Sequence, residues 1–437
     1  MPRLSPGDAL LLGCGAELPN RLMKAAMTEG LADVAGHSTP ALETLYRRWS
    51  DGGAGLLITG NVMVDRRYLE RPGNLVIDDN GGTDKLHRLA QAGTAAGNHL
   101  WMQISHPGRQ CSRLVNNRPV SPSPVRLKIL NNFARPRALE TEEIPQIIDA
   151  YARAAQTAQQ TSFTGVQIHA AHGYLISQFL SPLTNVRNDE WGGDLQHRAR
   201  FLIEVVRAVR NAVGPQYPVA VKLNSADFQR GGFSLSESCL VAQMLEKEDI
   251  DLLEISGGTY EQPRLLGQSG DPQRAESPIT SRESTRQREA YFLQYAQAIR
   301  AVCSIPMAVT GGFRDAAAMQ QALDNGELDV VGMARPFCME PDIAARLLTG
   351  QTDSARRDEQ NLGLGRLVSG RVANFAPFRA LTAQGAAAWY YRQMIRLSRG
   401  QDADPQLGFK RALLRHFVDE YSAGFARRRA RRQATAC

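Results

Sequence analysis

The chain has 437 residues, 43% of them hydrophobic and 22% charged, and a formal net charge of +7. That length exceeds one average domain but suits a single α/β barrel with insertions, and the composition excludes a disordered or fibrous protein. The charge does not mark a nucleic-acid binder, because Arg427, Arg428, Arg429, Arg431 and Arg432 crowd the C-terminus, and +7 less these five leaves about +2 for the body.

The basic tail is expected to be a solvated, frayed end, with an RNA or anionic-surface contact as the lesser reading. Six cysteines, Cys14, Cys111, Cys239, Cys303, Cys338 and Cys437, are scattered without a CxxC pair. This argues against a cysteine-held zinc, an iron–sulfur cluster or a disulfide framework, and fits reduced thiols in a cytoplasmic protein. Every apolar run is far shorter than the roughly 18 residues of a membrane span, and Asp8 interrupts any signal-like start, so no membrane partner is expected.

In chain order, buried strands and amphipathic helices alternate. The first strand is Leu22–Ala26, followed by a helix over Pro40–Ser50 with Thr39 as its N-cap and proline at its first position. Gly55–Val62 and His99–Ser105 are the second and third strands, with a helix over Asp84–Ala96 between them. After a polar loop, Pro107–Arg137, a helix opens at Thr141 and runs to Gln160. The fourth strand centres on Val166–Ile168, and its helix spans Arg198–Val213. Strands at Pro218–Leu223, Asp251–Ser256, Pro306–Thr310 and Val330–Met333 follow, with helices at Ser236–Lys247, Arg286–Val302, Ala316–Asn325 and Asp342–Leu348.

Eight such units predict a (β/α)8 TIM barrel over residues 1–350, ahead of an open doubly wound sheet, since no Gly-x-Gly-x-x-Gly follows an early strand. Beyond it, residues 351–437 read as a helical C-terminal extension, with helices Ala386–Leu397 and Phe409–Tyr421 anchored by Trp389, Tyr390 and Ile395. The extension is expected to pack on the barrel or on another subunit of a homo-oligomer.

Functional residues of such barrels stand at the C-terminal strand ends. Gly311-Gly312 after the seventh strand and Ala334-Arg335 after the eighth fit a phosphate site, the plainer reading being a tight turn. Lys222 interrupts an apolar strand and must face a ligand or be paired. Gln103 raises the same question, as a ligand contact or a loop tie. His169 and His172, three residues apart and followed by Tyr174, form an oxyanion-binding pair, a structural cap or, without a neighbouring carboxylate, a poor zinc site. No metal is therefore expected.

His169-Ala-Ala-His172-Gly-Tyr174-Leu175, Gln178-Phe-Leu-Ser-Pro182 and Arg187-Asn-Asp-Glu-Trp-Gly-Gly193 together resemble the signature of the old yellow enzyme flavin oxidoreductases. Ala26-Met27-Thr28, Ser256-Gly-Gly-Thr-Tyr-Glu261 and Val309-Thr-Gly-Gly-Phe313 also fit, and Trp389-Tyr-Tyr391 is similar to an NADH oxidase-like subgroup. The resemblance implies one FMN, reduced by NADH or NADPH and reoxidised by an electron-poor alkene. It implies that Ala26, Met27 and Gly60 line the flavin ring, Thr28 bonds it near O4 and N5, Gln103 meets its pyrimidine edge and Lys222 sits by N1 and O2. Gly312, Ala334 and Arg335 would hold its phosphate. His169, His172 and Tyr260 would bind substrate, and Tyr174 would deliver a proton.

The sequence departs from the family where Lys222 replaces the arginine of many members, keeping charge without the fork. Thr28 stands where one branch has cysteine, and some members carry His/Asn instead of the pair His169/His172. The iron–sulfur cysteines of the multidomain relatives are missing. Alternatives on the same barrel are NADH oxidation or oxidative demethylation; off the flavin reading, a phosphate-binding lyase or isomerase.

Overall fold

The computed structural model describes residues 4–129, 131–259, 261, 292–363 and 376–434, giving the backbone alone for 376–381 and 431–434. Its centre is eight short apolar strands: β1 (Leu22–Lys24), β2 (Leu56–Ile58), β3 (His99–Ser105), β4 (Gly165–Ala170), β5 (Val219–Asn224), β6 (Leu252–Ser256), β7 (Met307–Thr310) and β8 (Val330–Met333). Each runs parallel to the next, β8 pairs with β1, and β3 pairs with β4, so the sheet closes on itself. Parallel neighbours require crossovers, and these carry the outer helices. They are α1 (Pro40–Ser50), α2 (Thr83–Gly93), α3 (Glu143–Gln160), α4 (Leu195–Val213), α5 (Leu235–Glu246), α6 (Leu293–Arg300), α7 (Ala316–Asp324) and α8 (Ile343–Leu348). The predicted (β/α)8 barrel is the observed fold.

Strand parity sorts the side chains. Met23, Ile58, Trp101, Ala220, Leu252, Ala308 and Val330 fill the barrel interior as one apolar cluster, joined by Leu12 and Leu18 from an N-terminal hairpin. That hairpin closes the N-terminal end, where the Cys14 N–H donates to Asp251 Oδ1 at 2.8 Å. Two residues beyond that layer, toward the C-terminal mouth, the inward positions turn polar: Gln103, Lys222, Glu254 and Thr310.

The opposite parity faces the helices. Lys24 is buried there beneath α1, its Nζ donating to the Ile58 carbonyl at 2.6 Å and lying 4.3 Å from the Trp49 ring centre. Burial holds its pKa down to about 8.

Most boundaries lie within a few residues of expectation, and the exceptions have local causes. β2 stops at Ile58 rather than Val62, and the chain returns to the sheet at Val62–Met63 beside Ile104–Ser105; between them Gly60 packs so closely on the Met27 carbonyl and Thr28 backbone that no Cβ fits. α4 starts at Leu195 rather than Arg198, because Asp194 caps it by accepting from the His197 N–H at 3.0 Å. Thr39 precedes α1 as expected, but its hydroxyl donates to the Leu31 carbonyl at 2.8 Å instead of capping the helix.

The extension forms α9 (Ala376–Leu397) and α10 (Phe409–Ala434), longer than the predicted pair. Trp389, Tyr390, Met394 and Leu397 are its buried anchors, whereas Ile395 is only half-buried. Both helices pack on the barrel of their own chain: Arg71 of the barrel pairs with Glu420 of α10 and lies 4.1 Å from the Tyr391 ring centre of α9. The expected frayed tail is corrected here. The backbone is helical to Ala434, and Arg427 is buried, donating to the Val34 and Arg66 carbonyls at 3.2 Å each. A guanidinium can satisfy two loop carbonyls at once, which docks the helix end.

Candidate active site

The C-terminal mouth of the barrel brings the predicted imidazoles and phenol together. The His169 ring centre lies 5.1 Å from that of His172 and 4.7 Å from that of Tyr174, in edge-on arrangements. His169 and Tyr174 are buried, and His172 is half-buried. His172 takes a left-handed backbone, φ 59°, followed by Gly173 at φ 77°, which turns the chain sharply off β4. Its N–H donates to Asn224 Oδ1 at 3.0 Å and its Nε2 lies 2.8 Å from Ser256 Oγ, so the ends of β5 and β6 hold it from both sides.

The charge state follows from the surroundings. Burial, then His172 and Lys222, hold the His169 pKa well below its ordinary value; burial and Lys222 do the same for His172. Both rings are therefore neutral near pH 7. The Ala171 N–H donates to His169 Nδ1 at 3.2 Å, which places the ring proton on Nε2 as a hydrogen-bond donor. Among the described residues no cluster of three His, Cys, Asp or Glu side chains could hold a metal ion.

Beside the histidines runs a polar chain across four strands. Gln103 Nε2 donates to Gln167 Oε1 at 2.7 Å, Gln167 Nε2 donates to Glu254 Oε2 at 2.7 Å, and Glu254 Oε1 pairs with Lys222 Nζ at 2.8 Å. Lys222 is thus paired and also lines a cavity, and in register it stands next to His169. Gln167 and Glu254 escaped the sequence reading. Their signal was the same as that of Lys222, a polar residue at an inward position of an apolar run.

The cavity has a volume of about 220 Å³. Of the expected cofactor residues, Ala26, Met27, Thr28, Lys222, Gly312, Ala334 and Arg335 line it. Gly60 and Gln103 are set back. The Gly60 N–H is spent on Glu29 Oε1 at 2.9 Å, and Gln103 reaches the wall only through Gln167, Glu254 and Lys222. Tyr260 lies outside the described residues. Thr28 lines the wall, but its hydroxyl donates to Glu70 Oε2 at 2.8 Å, a carboxylate that also accepts from Asn61 Nδ2 at 2.7 Å. The Thr28 oxygen therefore faces a ligand as an acceptor.

At the β7 and β8 ends, Gly311 (φ 133°) and Gly312 (φ 89°) adopt backbone that side chains resist, and a Cβ at Gly332 would overlap the Thr310 hydroxyl. Arg314 pairs with Glu359 Oε1 at 2.8 Å, Arg335 lies 3.9 Å from the same oxygen, and the Tyr390 hydroxyl donates to Oε2 at 2.9 Å. Burial pushes the Glu359 carboxyl up, but the two arginines outweigh it and hold it below its ordinary value. Ala386, Ala387, Tyr390, Tyr391 and Met394 of α9 complete the wall, so the extension belongs to the site.

A family model described as NADH:flavin oxidoreductase / NADH oxidase matches residues 11–354. The chain belongs to that family. An NADH-dependent flavin oxidoreductase, iliE of Hypocrea jecorina, is 36% identical over 366 residues, 78% of this chain and 88% of the relative. The family fold is seen in the old yellow enzyme homologue from Zymomonas mobilis, with a TM-score of 0.67 and 26% identity over 80% of this chain and 94% of that one. A 2-naphthoyl-CoA reductase complex gives a TM-score of 0.72 and 28% identity over 79% of this chain, which spans only 52% of its length. Membership in the old yellow enzyme family makes the protein an NAD(P)H-dependent flavin oxidoreductase and sets aside the lyase or isomerase alternative.

The cavity fits the flavin that the family uses. Its walls are mainly alanine, methionine and glycine, it carries the cations Lys222, Arg314 and Arg335, and the buried Thr310 hydroxyl finds no partner among the described residues.

Proposed function

We propose that the enzyme reduces the C=C bond of α,β-unsaturated carbonyl or nitro compounds, using NADH or NADPH. FMN, when bound, would supply the hydride chemistry between the nicotinamide and the β-carbon. In this reading Ala26, Met27 and Thr28 would hold the ring, Lys222 would be the cation that favours the reduced form, and Gly312, Ala334 and Arg335 would hold the phosphate. His169 and His172 bind the substrate oxygen. As neutral rings they donate hydrogen bonds without a standing charge, so their grip strengthens as negative charge grows on that oxygen. Tyr174 hands its hydroxyl proton to the α-carbon.

The clustering of His169, His172 and Tyr174, with His169 next to Lys222 in register, is the observation that supports this reading most. Anaerobic stopped-flow with NADH or NADPH, then with enones, maleimides and nitroalkenes, tests it. Tyr174→Phe should slow reoxidation by alkenes about 100-fold or more while leaving reduction by NAD(P)H near the parent rate. Equal slowing of both steps removes Tyr174 from the proton transfer. Reoxidation by oxygen and by no alkene makes the enzyme an NADH oxidase instead.

A further inference from the structure

Helix α10 carries its barrel contacts on one face and an uncovered apolar stripe on the other. Leu414, Val418, Tyr421 and Phe425 are 68%, 54%, 51% and 64% exposed. Their spacing of four, three and four residues puts them on one line along the helix, about 16 Å long. At 100° per residue, Lys410 and Arg428 flank this line on one side and Arg411, Arg415 and Arg429 on the other, all exposed.

Carboxylates are used up elsewhere: Glu420 turns inward to Arg71, and Asp419 is held by Arg392 of α9. The stripe is thus an apolar ridge between two rows of cations with no uncommitted acid on α10 beside it. Two copies laid antiparallel would set Arg411 of one against Arg429 of the other and Lys410 against Arg428, which repels. The charge complement is a dense anionic surface into which an apolar ridge can sink, and nucleic acid offers no place for such a ridge.

We propose that α10 docks the enzyme on an anionic phospholipid surface, with Leu414, Val418, Tyr421 and Phe425 entering the acyl boundary and the flanking arginines meeting headgroup phosphates. Such a helix lies on a membrane rather than crossing it, so the lack of a spanning segment among the described residues is no obstacle. The buried Arg427 and the Arg71–Glu420 pair fix the rotation of α10, keeping the stripe outward.

Full-length, FMN-loaded protein is sedimented with vesicles of phosphatidylcholine alone and with equal parts phosphatidylcholine and phosphatidylglycerol. Binding is expected only to the anionic vesicles and should fall steeply with salt. The double variants Leu414→Ser/Phe425→Ser and Arg411→Glu/Arg415→Glu should each bind about tenfold or more weakly. Both should keep the parent melting temperature and turnover, since these side chains are exposed. The proposal is overturned if the parent fails to bind anionic vesicles, or if the apolar variant binds as well as the parent. It is overturned equally if light scattering finds a dimer that Leu414→Ser/Phe425→Ser dissociates, which would assign the stripe to a second copy.

Discussion

Glu254 shows how a single side chain supports the site without touching the reacting atoms. It is fully buried and balances Lys222, whose charge would otherwise stand alone inside the barrel mouth. Glu254→Gln keeps the shape and removes the charge, and should cost about 3 kcal/mol of stability, read as a lower urea midpoint. Glu70 acts on the same pocket by holding the Thr28 hydroxyl proton. In Glu70→Gln a negative charge leaves the cofactor's surroundings while an acceptor for Thr28 and Asn61 stays in place, so the midpoint potential of bound FMN should rise in spectroelectrochemical titration. An unchanged potential would mean that Thr28 and Glu70 only brace the β1 end.

Among elements, the extension has two jobs set by opposite faces of its hairpin. α9 supplies a wall of the cavity and places Tyr390 on the Glu359–arginine cluster, while α10 is pinned to the barrel at Arg71 and Arg427. Glu420→Ala leaves the half-enclosed Arg71 without its carboxylate and loosens one of those pins. Amide hydrogen exchange should then speed up along α10 while barrel strands keep the parent protection. Uniform acceleration would show that α10 and the barrel open as one unit. Gly332→Ala belongs to the same scale, since β8 can approach Thr310 only without a side chain; it should lower the melting temperature and weaken FMN binding measured by fluorescence quenching.

Acid sensitivity is a property of the whole molecule, because buried and half-buried histidines throughout it are held uncharged. His99, His106, His169, His172 and His416 all have pKa values held below 6.5, with burial the leading cause; His106 lies at about 4 and His416 at about 3. The unfolded chain binds protons on these rings at a higher pH than the folded one does. Their contribution is thus complete above pH 6.5 and is lost as pH falls, at about 1.4 kcal/mol per pH unit for each ring still neutral in the fold. Urea unfolding from about pH 7.5 down to about pH 5 should show a steep fall that begins near 6.5. A flat profile over that range would mean the rings are already charged in the folded state.

The order and number of strands, and the seats of His169, Lys222 and Arg335 at their ends, were determined by the sequence alone. Apolar runs broken by turn residues carry that information along the chain. The partners of those residues were decided by closure of the barrel, since Gln103 meets Gln167 and Gln167 meets Glu254 across 64 and 87 positions of sequence. Local period holds no record of such a match. The tail shows the same limit more sharply. Five arginines in a short stretch read as solvated, yet the rotation of α10 buries Arg427 and leaves Leu414 and Phe425 in the open. Which face of a helix meets the protein is set by what the barrel presents to it, and only the folded chain specifies that.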